Sequence, residues 1–403
     1  MQEIARLNWA FANRSPLESI AQKAEMVMTP LLLQRPHPKS KPKEDLACLK
    51  RRLELWKKGE IAALLKEGST IQDRLEFSKS RDSDETMAKK FTNLMLSGNG
   101  QSAMTYVLNH GKGGVLELDE QTKELLAQKH PKGEEATPEV LIKGDLPEEV
   151  DPIAFAKIDA SLIKACALKT QGAAGVSGAD DQMWRKMVSS YKDTSADLCD
   201  SVAAATRRIA TEFVDPQSLE ALMANRGIPL DKCPGLRPVG IGEIKRRVTG
   251  KAIMHVVKND IQEAAGPLQL CAGQSAGVEA AVHAMRKSFA ADETDAVLLI
   301  DADNAFNRAN RKVALHNIQY VCPIFKYVLI NTYRVPSRIF VLGGWELPSQ
   351  EGTTQGCPLA MAMYALAIVP LVNDHLHGLC EQVWFADDGT GAGNLTDLRQ
   401  WWG

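Results

Sequence analysis

No two of the eight cysteines form a CxxC pair, and none stands among histidines at the spacing of a zinc site. Scattered thiols argue against a disulfide framework and for cysteines kept reduced inside the cell. A long apolar run is also missing. The longest, PLAMAMYALAIVPLV (358–372), falls short of the ~20 residues that span a bilayer and suits a buried helix. The first residues, MQEIARLNWAFANRS, lack the apolar stretch of a secretory signal. These absences predict an intracellular protein, cytoplasmic or nuclear, neither secreted nor held in a membrane. No internal repeat is visible. Nor is there an excess of charge: 48 Lys and Arg against 50 Asp and Glu leave a net −2, which predicts no polyanion partner by itself.

That balance hides segregation. From Arg35 to Glu67 there are ten Lys or Arg against five Asp or Glu; from Val115 to Asp151, four against eleven; from Lys232 to Lys258, seven against one. A basic stretch of the last kind marks either a nucleic-acid contact or a solvated face. At 403 residues the chain has room for two or three domains.

Periodicity places the elements. Residues 1–34 read as helical, and QRPHPKSKPK (34–43) as a Pro/Lys linker. LACLKRRLELWKKGEIAALLKEG (46–68) repeats Leu46, Leu49, Leu53, Trp56, Ile61, Leu64 and Leu65 at helical spacing. Its basic face is either plain surface or a nucleic-acid backbone contact. A further helix is expected over about 83–97, then a Gly-, Pro- and acid-rich connector over 111–152, and a long helix over 193–214. AVLLI (296–300) reads as a buried strand ending in Asp301. Helices over about 310–320 and 323–333 follow, then a hairpin turning at Gly343-Gly344, a helix over about 358–370, and the strand QVWFA (382–386) running into Asp387-Asp388.

Asp301 and the Asp387-Asp388 pair each end an apolar strand. Clustered carboxylates repel one another and raise their own pKa values. Divalent cations held among them relieve both costs, and oxygen ligands suit Mg²⁺; two such ions suit phosphoryl transfer. A turn explains why the two aspartates are adjacent, since an extended strand would send them to opposite faces. Asp-Asp-Gly taken alone is equally ordinary turn chemistry.

The carboxylates do not stand alone. LLIDADNAFNRAN (298–310), SQEGTTQGCPLAMAMYALA (349–367) and VWFADD (383–388) resemble, in order, the three palm motifs of reverse transcriptases, specifically those of LINE-like, non-long-terminal-repeat retrotransposons. LDKCPGLRPVGIGEIKRRVTGKAI (230–253) resembles the fingers motif of that family, and LQLCAGQSAGVEAAVHAM (268–285) the next block. The resemblance covers roughly 160–403. It implies an RNA-directed DNA polymerase that uses dNTPs, an RNA template and a DNA primer, with two Mg²⁺ ions, or Mn²⁺ in their place, on Asp301, Asp387 and Asp388. By motif position it makes Phe306 the gate against a 2′-hydroxyl, sets Gln355 and Gly356 along the template–nucleotide pair, and puts Arg237, supported by Lys232, on the triphosphate. Lys245, Arg246, Arg247 and Lys251 are the expected phosphate contacts, while Asp303 is expected at the surface or behind the ligands. Gln269 and Gln274 are template contacts or surface amides.

The sequence departs from the family at Asn307, often Asp, and Thr354, often Arg, where altered template contacts are expected. It also ends soon after the catalytic hairpin, so a C-terminally truncated member without thumb is expected, with Trp401 and Trp402 left exposed. The expected architecture is α+β: a helical basic extension (1–110), the acidic connector (111–152), fingers with upstream helices (153–290), and a partial palm with an antiparallel sheet backed by helices (291–403). Two other functions stay open: a catalytically incomplete remnant that only binds nucleic acid, and an RNA-dependent RNA polymerase, against which Phe306 argues.

Overall fold

The computed structural model describes residues 1–74, 84–108, 114–232, 235–341, 343–375 and 378–402. They form an α+β protein in which helices predominate and two small sheets are embedded.

DTSADLCDSVAAATRRIAT forms the helix Asp193–Thr211. Leu198, Cys199, Val202, Ala203, Ala205 and Ile209 are buried on it. Its small side chains let neighbours approach, and the helices Gln2–Ala12, Ala160–Lys169 and Asp181–Ser189 pack around it. From the first of these, Leu7 and Phe11 join Ala205, Ile209, Val214, Leu219 and Leu222 in one apolar cluster. The Arg208 guanidinium lies 4.7 Å from the centre of the Phe11 ring.

The N-terminal residues are thus core material. Met1–Met26 form one compact unit with Ala127–Gly227 and Gly240–Gly403, whereas Val27–Leu126 and Ile228–Val239 make the second unit. This division differs from the four consecutive segments expected above. In the second unit the periodic run over 46–68 is two helices, Pro42–Lys57 and Ile61–Gln72. They break at Gly59, whose φ of +75° suits glycine. Arg52 is buried between them, its Nε donating to Glu67 Oε1 at 2.9 Å.

In the larger unit the helix Ile244–Ala265 is buried on most of its circumference. A glycine inside a helix costs about 1 kcal/mol against alanine. Gly250 is needed because a Cβ there would lie 2.4 Å from Pro358 Cγ.

The first sheet contains β1 (Asn225–Asp231), β2 (Leu236–Gly242), β4 (Ser337–Val341) and β5 (Trp345–Ser349) in the order β2-β1-β4-β5, with β1 and β4 parallel. The second contains β3 (Ala296–Asp301), β6 (Glu381–Phe385) and β7 (Asp388–Gly393), antiparallel in the order β3-β7-β6. Alternation in DGTGAG explains the second sheet. Gly389 and Gly391 share a face with Trp384, Leu298 and Ile300. A Cβ on Gly389 would lie 2.7 Å from the Trp384 ring, and one on Gly391 2.9 Å from Trp401. Missing side chains on β7 therefore make room for two indoles. Gln382 Oε1 accepts from Trp384 Nε1 at 2.9 Å and from Trp401 Nε1 at 3.2 Å.

Trp401, on the helix Leu395–Trp402, is buried against this sheet rather than exposed, because the glycine face supplies its pocket; Trp402 is exposed as expected. The helix Gly277–Phe289 packs along β6 and β7. Among the described residues no helix is long and apolar enough to cross a membrane.

Filling the indole pockets should be costly. Gly391→Val is expected to destabilise the fold by about 1–3 kcal/mol or more. Gly393→Ala, whose Cβ would meet Cys380 at an acceptable 3.4 Å, should stay within about 1 kcal/mol. Urea denaturation midpoints at a common slope would measure both.

Candidate active site

Asp301 is the last residue of β3, and Asp388 the first of β7; they are direct cross-strand partners. Opposed residues in an antiparallel ladder lie about 4.5–5.5 Å apart at Cα and project to the same face. Phe385 also pairs with Asp388, so Ala386 and Asp387 form a two-residue link between β6 and β7. The carboxylates lie on the face opposite the tryptophans, at its open end: Asp301 and Asp388 are exposed and Leu299 beside them is 76% exposed, whereas Val383 and Ala392 farther along the same face are buried. The backbone thus brings together three acids from two distant segments.

Burial, and then the negative charges of Asp388 and Asp301, hold the Asp387 carboxyl above the ordinary carboxylate range, against a bond to its own backbone. None of the three aspartates pairs with a cation among the described residues. An oxygen-only donor set with uncompensated charge fits a hard divalent ion. As the side chains stand, however, no group of three His, Cys, Asp or Glu residues among the described residues is disposed to hold a metal.

Phe306 lies on the short helix Ala305–Arg308 just after β3. Its ring stacks on Tyr364, with centroids 4.6 Å apart and planes 26° apart. Both belong to a cluster with Ala305, Cys271 and Ala386, so the aromatic pair sits against the turn that carries Asp387. Burial, followed by the Asp387 and Cys271 charges, drives the Tyr364 hydroxyl pKa upward.

The segment before Gln355 is fastened to the same place. Gly352 N donates to Ala309 O at 2.8 Å, and Thr353 N to Phe306 O at 2.5 Å. Gly240 N donates to Gln355 O at 3.0 Å. Gly356 has a φ of +102°, and a Cβ on it would lie 2.4 Å from Gly240 O. The close approach that requires glycine here is to the protein's own backbone.

Arg311, which the sequence reading passed over, organises this loop. It is buried; its side chain donates to Gly352 O at 2.9 Å, to Ser349 O at 2.8 Å, to Ser349 Oγ at 2.9 Å and to Glu351 O at 2.8 Å. Burial pushes the guanidinium down to about 10. Glu351 accepts from Arg311 N and, through its other oxygen, from Glu134 N, each at 2.6 Å. The signal was present: Arg311, Ala314 and Ile318 fall on one helical face, and all are buried.

The acidic connector docks on the same elements. Lys129 O accepts from Asn304 Nδ2 at 3.0 Å and from Asn307 Nδ2 at 2.9 Å; Gly133 N donates to Gln350 Oε1 at 2.9 Å. Farther along, Ile142 N donates to Asn317 Oδ1 at 2.9 Å, and Tyr327 Oη to Glu149 Oε1 at 2.6 Å. Asn307 is therefore a buried anchor for this strap rather than a template contact, and Thr354 is buried as well. Asp303 is a surface residue beside Lys129 at 3.2 Å and Arg308 at 3.5 Å.

Two expected phosphate contacts are corrected. Lys245 is buried, its Nζ donating to Gln22 at 2.7 Å, Glu25 at 2.5 Å and Asn8 at 2.5 Å; burial lowers its pKa against the pull of Glu25. Arg246 is buried too, bonded to Met223 O at 3.0 Å, Asn225 Oδ1 at 3.1 Å and Cys357 Sγ at 3.3 Å. Successive helical residues point about 100° apart, so three adjacent cations cannot share one exposed face.

Arg247 and Lys251 are half-buried, donating to Gln171 O at 3.0 Å and Lys169 O at 3.3 Å. Gln274 accepts from Gln262 at 2.8 Å. Gln269 is neither a surface amide nor exposed for template contact, since it is 1% exposed. Arg237, on β2, and Lys232 are exposed residues of the second unit.

A cavity of about 770 Å³ opens between the helices Ala160–Lys169, Ile244–Ala265 and Ala360–Ala367. Leu162, Met254 and Met361 are among its apolar lining, and Lys157, Lys169, Lys251 and Lys258 line it with a single carboxylate, Asp159. Cys271 belongs both to this cavity and to the cluster around Ala386. No protein-family description and no curated protein matches the chain.

Arg311→Met should destabilise the fold by about 3 kcal/mol or more, because it strands the buried carbonyls of Ser349, Glu351 and Gly352 that the guanidinium serves. Arg308→Met, at an exposed position, should stay within about 0.5 kcal/mol in the same denaturation assay.

A second expectation concerns pH. A carboxyl whose pKa is raised on folding destabilises the folded state above that pKa and has no effect below the unfolded value, about 4. In metal-free buffer Asp387→Asn should therefore melt at a higher temperature than the parent at neutral pH. The difference should vanish below about pH 4.

Proposed function

We propose that this chain is a reverse transcriptase domain of the LINE-like, non-long-terminal-repeat kind, acting inside the cell by template-directed DNA synthesis from dNTPs on an RNA template. One observation carries the reading: Asp301 and Asp388 are cross-strand partners at the open end of one antiparallel sheet, and Asp387 lies in the turn beside them. The stacked Phe306 beside that turn supports it, as do the lysines of the neighbouring cavity.

In this reading the three aspartates hold two Mg²⁺ ions, with Mn²⁺ as a substitute. Bound there, the ions supply the acidity that activates a primer 3′-hydroxyl and the charge that stabilises leaving pyrophosphate. Phe306 excludes a 2′-hydroxyl by volume. Gln355 and Gly356 border the nucleotide, and Arg237 with Lys232 binds its triphosphate through charge-assisted bonds. Arg247 and Lys251 contact phosphates without regard to base sequence.

A second reading is a catalytically incomplete nucleic-acid-binding remnant. The lysines that line the neighbouring cavity, Lys157, Lys169, Lys251 and Lys258, would serve this reading equally.

Incorporation of dNTPs on a primed RNA template separates the two. The parent chain should require Mg²⁺, and Asp387→Asn should lose roughly 1,000-fold or more. Phe306→Val should weaken selection of dNTPs over rNTPs by about tenfold or more. No incorporation, with RNA binding that weakens steeply with salt, would favour the remnant.

A further inference from the structure

Ala386 has a φ of +57°. In a two-residue hairpin link that conformation normally belongs to glycine, and in alanine it costs about 1–2 kcal/mol. Such a residue persists only where its surroundings hold it. Among those surroundings is the amide of Gln269. Its Oε1 accepts from Ala386 N at 2.9 Å and from Cys271 N at 3.4 Å, while its Nε2 donates to Ala386 O at 3.3 Å.

The backbone around Gln269 is itself registered on β6. Trp384 N donates to Leu268 O, and Leu270 N to Trp384 O, each at 2.8 Å, in a parallel bridge. The side-chain amide thus continues a strand ladder two residues further, taking the place of a peptide group opposite Ala386.

We propose that Gln269 is a positioning residue: by binding both polar backbone groups of Ala386 it sets the direction in which Asp387 meets Asp301 and Asp388. This rests on reading the three aspartates as one metal centre. A glutamine that only filled a polar gap would affect stability, whereas a positioning residue also affects how the carboxylates bind a cation.

The test uses the full chain with Mn²⁺ as the probe. The relevant binding is the part lost in Asp387→Asn, followed by electron paramagnetic resonance, alongside hydrogen exchange of the Ala386 amide. Gln269→Met keeps length but removes both bonds. Gln269→Glu keeps the acceptor and removes the donor, and remains informative if the Met variant fails to fold. In Gln269→Met the Ala386 amide should exchange about tenfold faster and Mn²⁺ affinity should fall about 10- to 100-fold, with Gln269→Glu between it and the parent. Adding Ala386→Gly to Gln269→Met should recover affinity, because glycine needs no outside support at positive φ.

Faster exchange with unchanged Mn²⁺ affinity would overturn the positioning role and leave a structural glutamine. Unchanged exchange would overturn the clamp itself. If the parent binds no Mn²⁺ at Asp387 while the variants exchange faster, the metal-centre reading fails and takes the positioning role with it, although the clamp on the turn stands.

Discussion

The antiparallel register of β3, β7 and β6 is the constraint on which the rest of the candidate site depends. Asp301 faces Asp388 because six consecutive residues of β3 pair with β7. A slip of one residue would turn every side chain to the other face. That register is pinned from behind: glycines on alternate positions of β7 admit Trp384 and Trp401, and Gln382 bonds both indoles. The bulky face and the acidic face are two sides of one alternation. The space that buries the indoles also fixes which residues emerge on the open side.

Around this sheet the supporting contacts are mostly backbone-directed. Arg311 ties the loop before Gln355 to the helix that follows Phe306, and Glu351 links that helix to the connector at Glu134. Asn304 and Asn307 bind one carbonyl, that of Lys129. Each of these groups satisfies buried main-chain polarity that would otherwise cost about 1–3 kcal/mol. The loops bearing Phe306 and Gln355 are consequently parts of one hydrogen-bonded assembly, with an acidic segment far away in sequence as its outer strap.

The basic segment Lys245–Lys251 shows how such contacts redefine residues. A cation count sees equivalent charges, but burial divides them. Lys245 and Arg246 neutralise or cap interior groups of the larger unit, whereas Arg247 and Lys251 retain partial exposure. Lys157, Lys169 and Lys258 join Lys251 around the cavity without forming any sequence motif.

Sequence by itself determined the elements whose patterns are local. It contained the strand before Asp301, though not as the buried strand expected, since Leu299 is 76% exposed. It also contained the hairpin at Asp387-Asp388, the helices over 311–321 and 360–367, and the order of the acidic motifs. Strand alternation, turn chemistry and helical periodicity are properties of neighbouring residues, so they can be read along the chain. Only the tertiary structure decided that Met1–Met26 complete a core with Asp193–Thr211, that Trp401 is buried, and that Asn307, Arg311 and Gln269 bind backbone. A polar side chain looks the same in sequence whether it faces water or an unpaired carbonyl. What it does depends on which distant peptide group folding brings within hydrogen-bond distance.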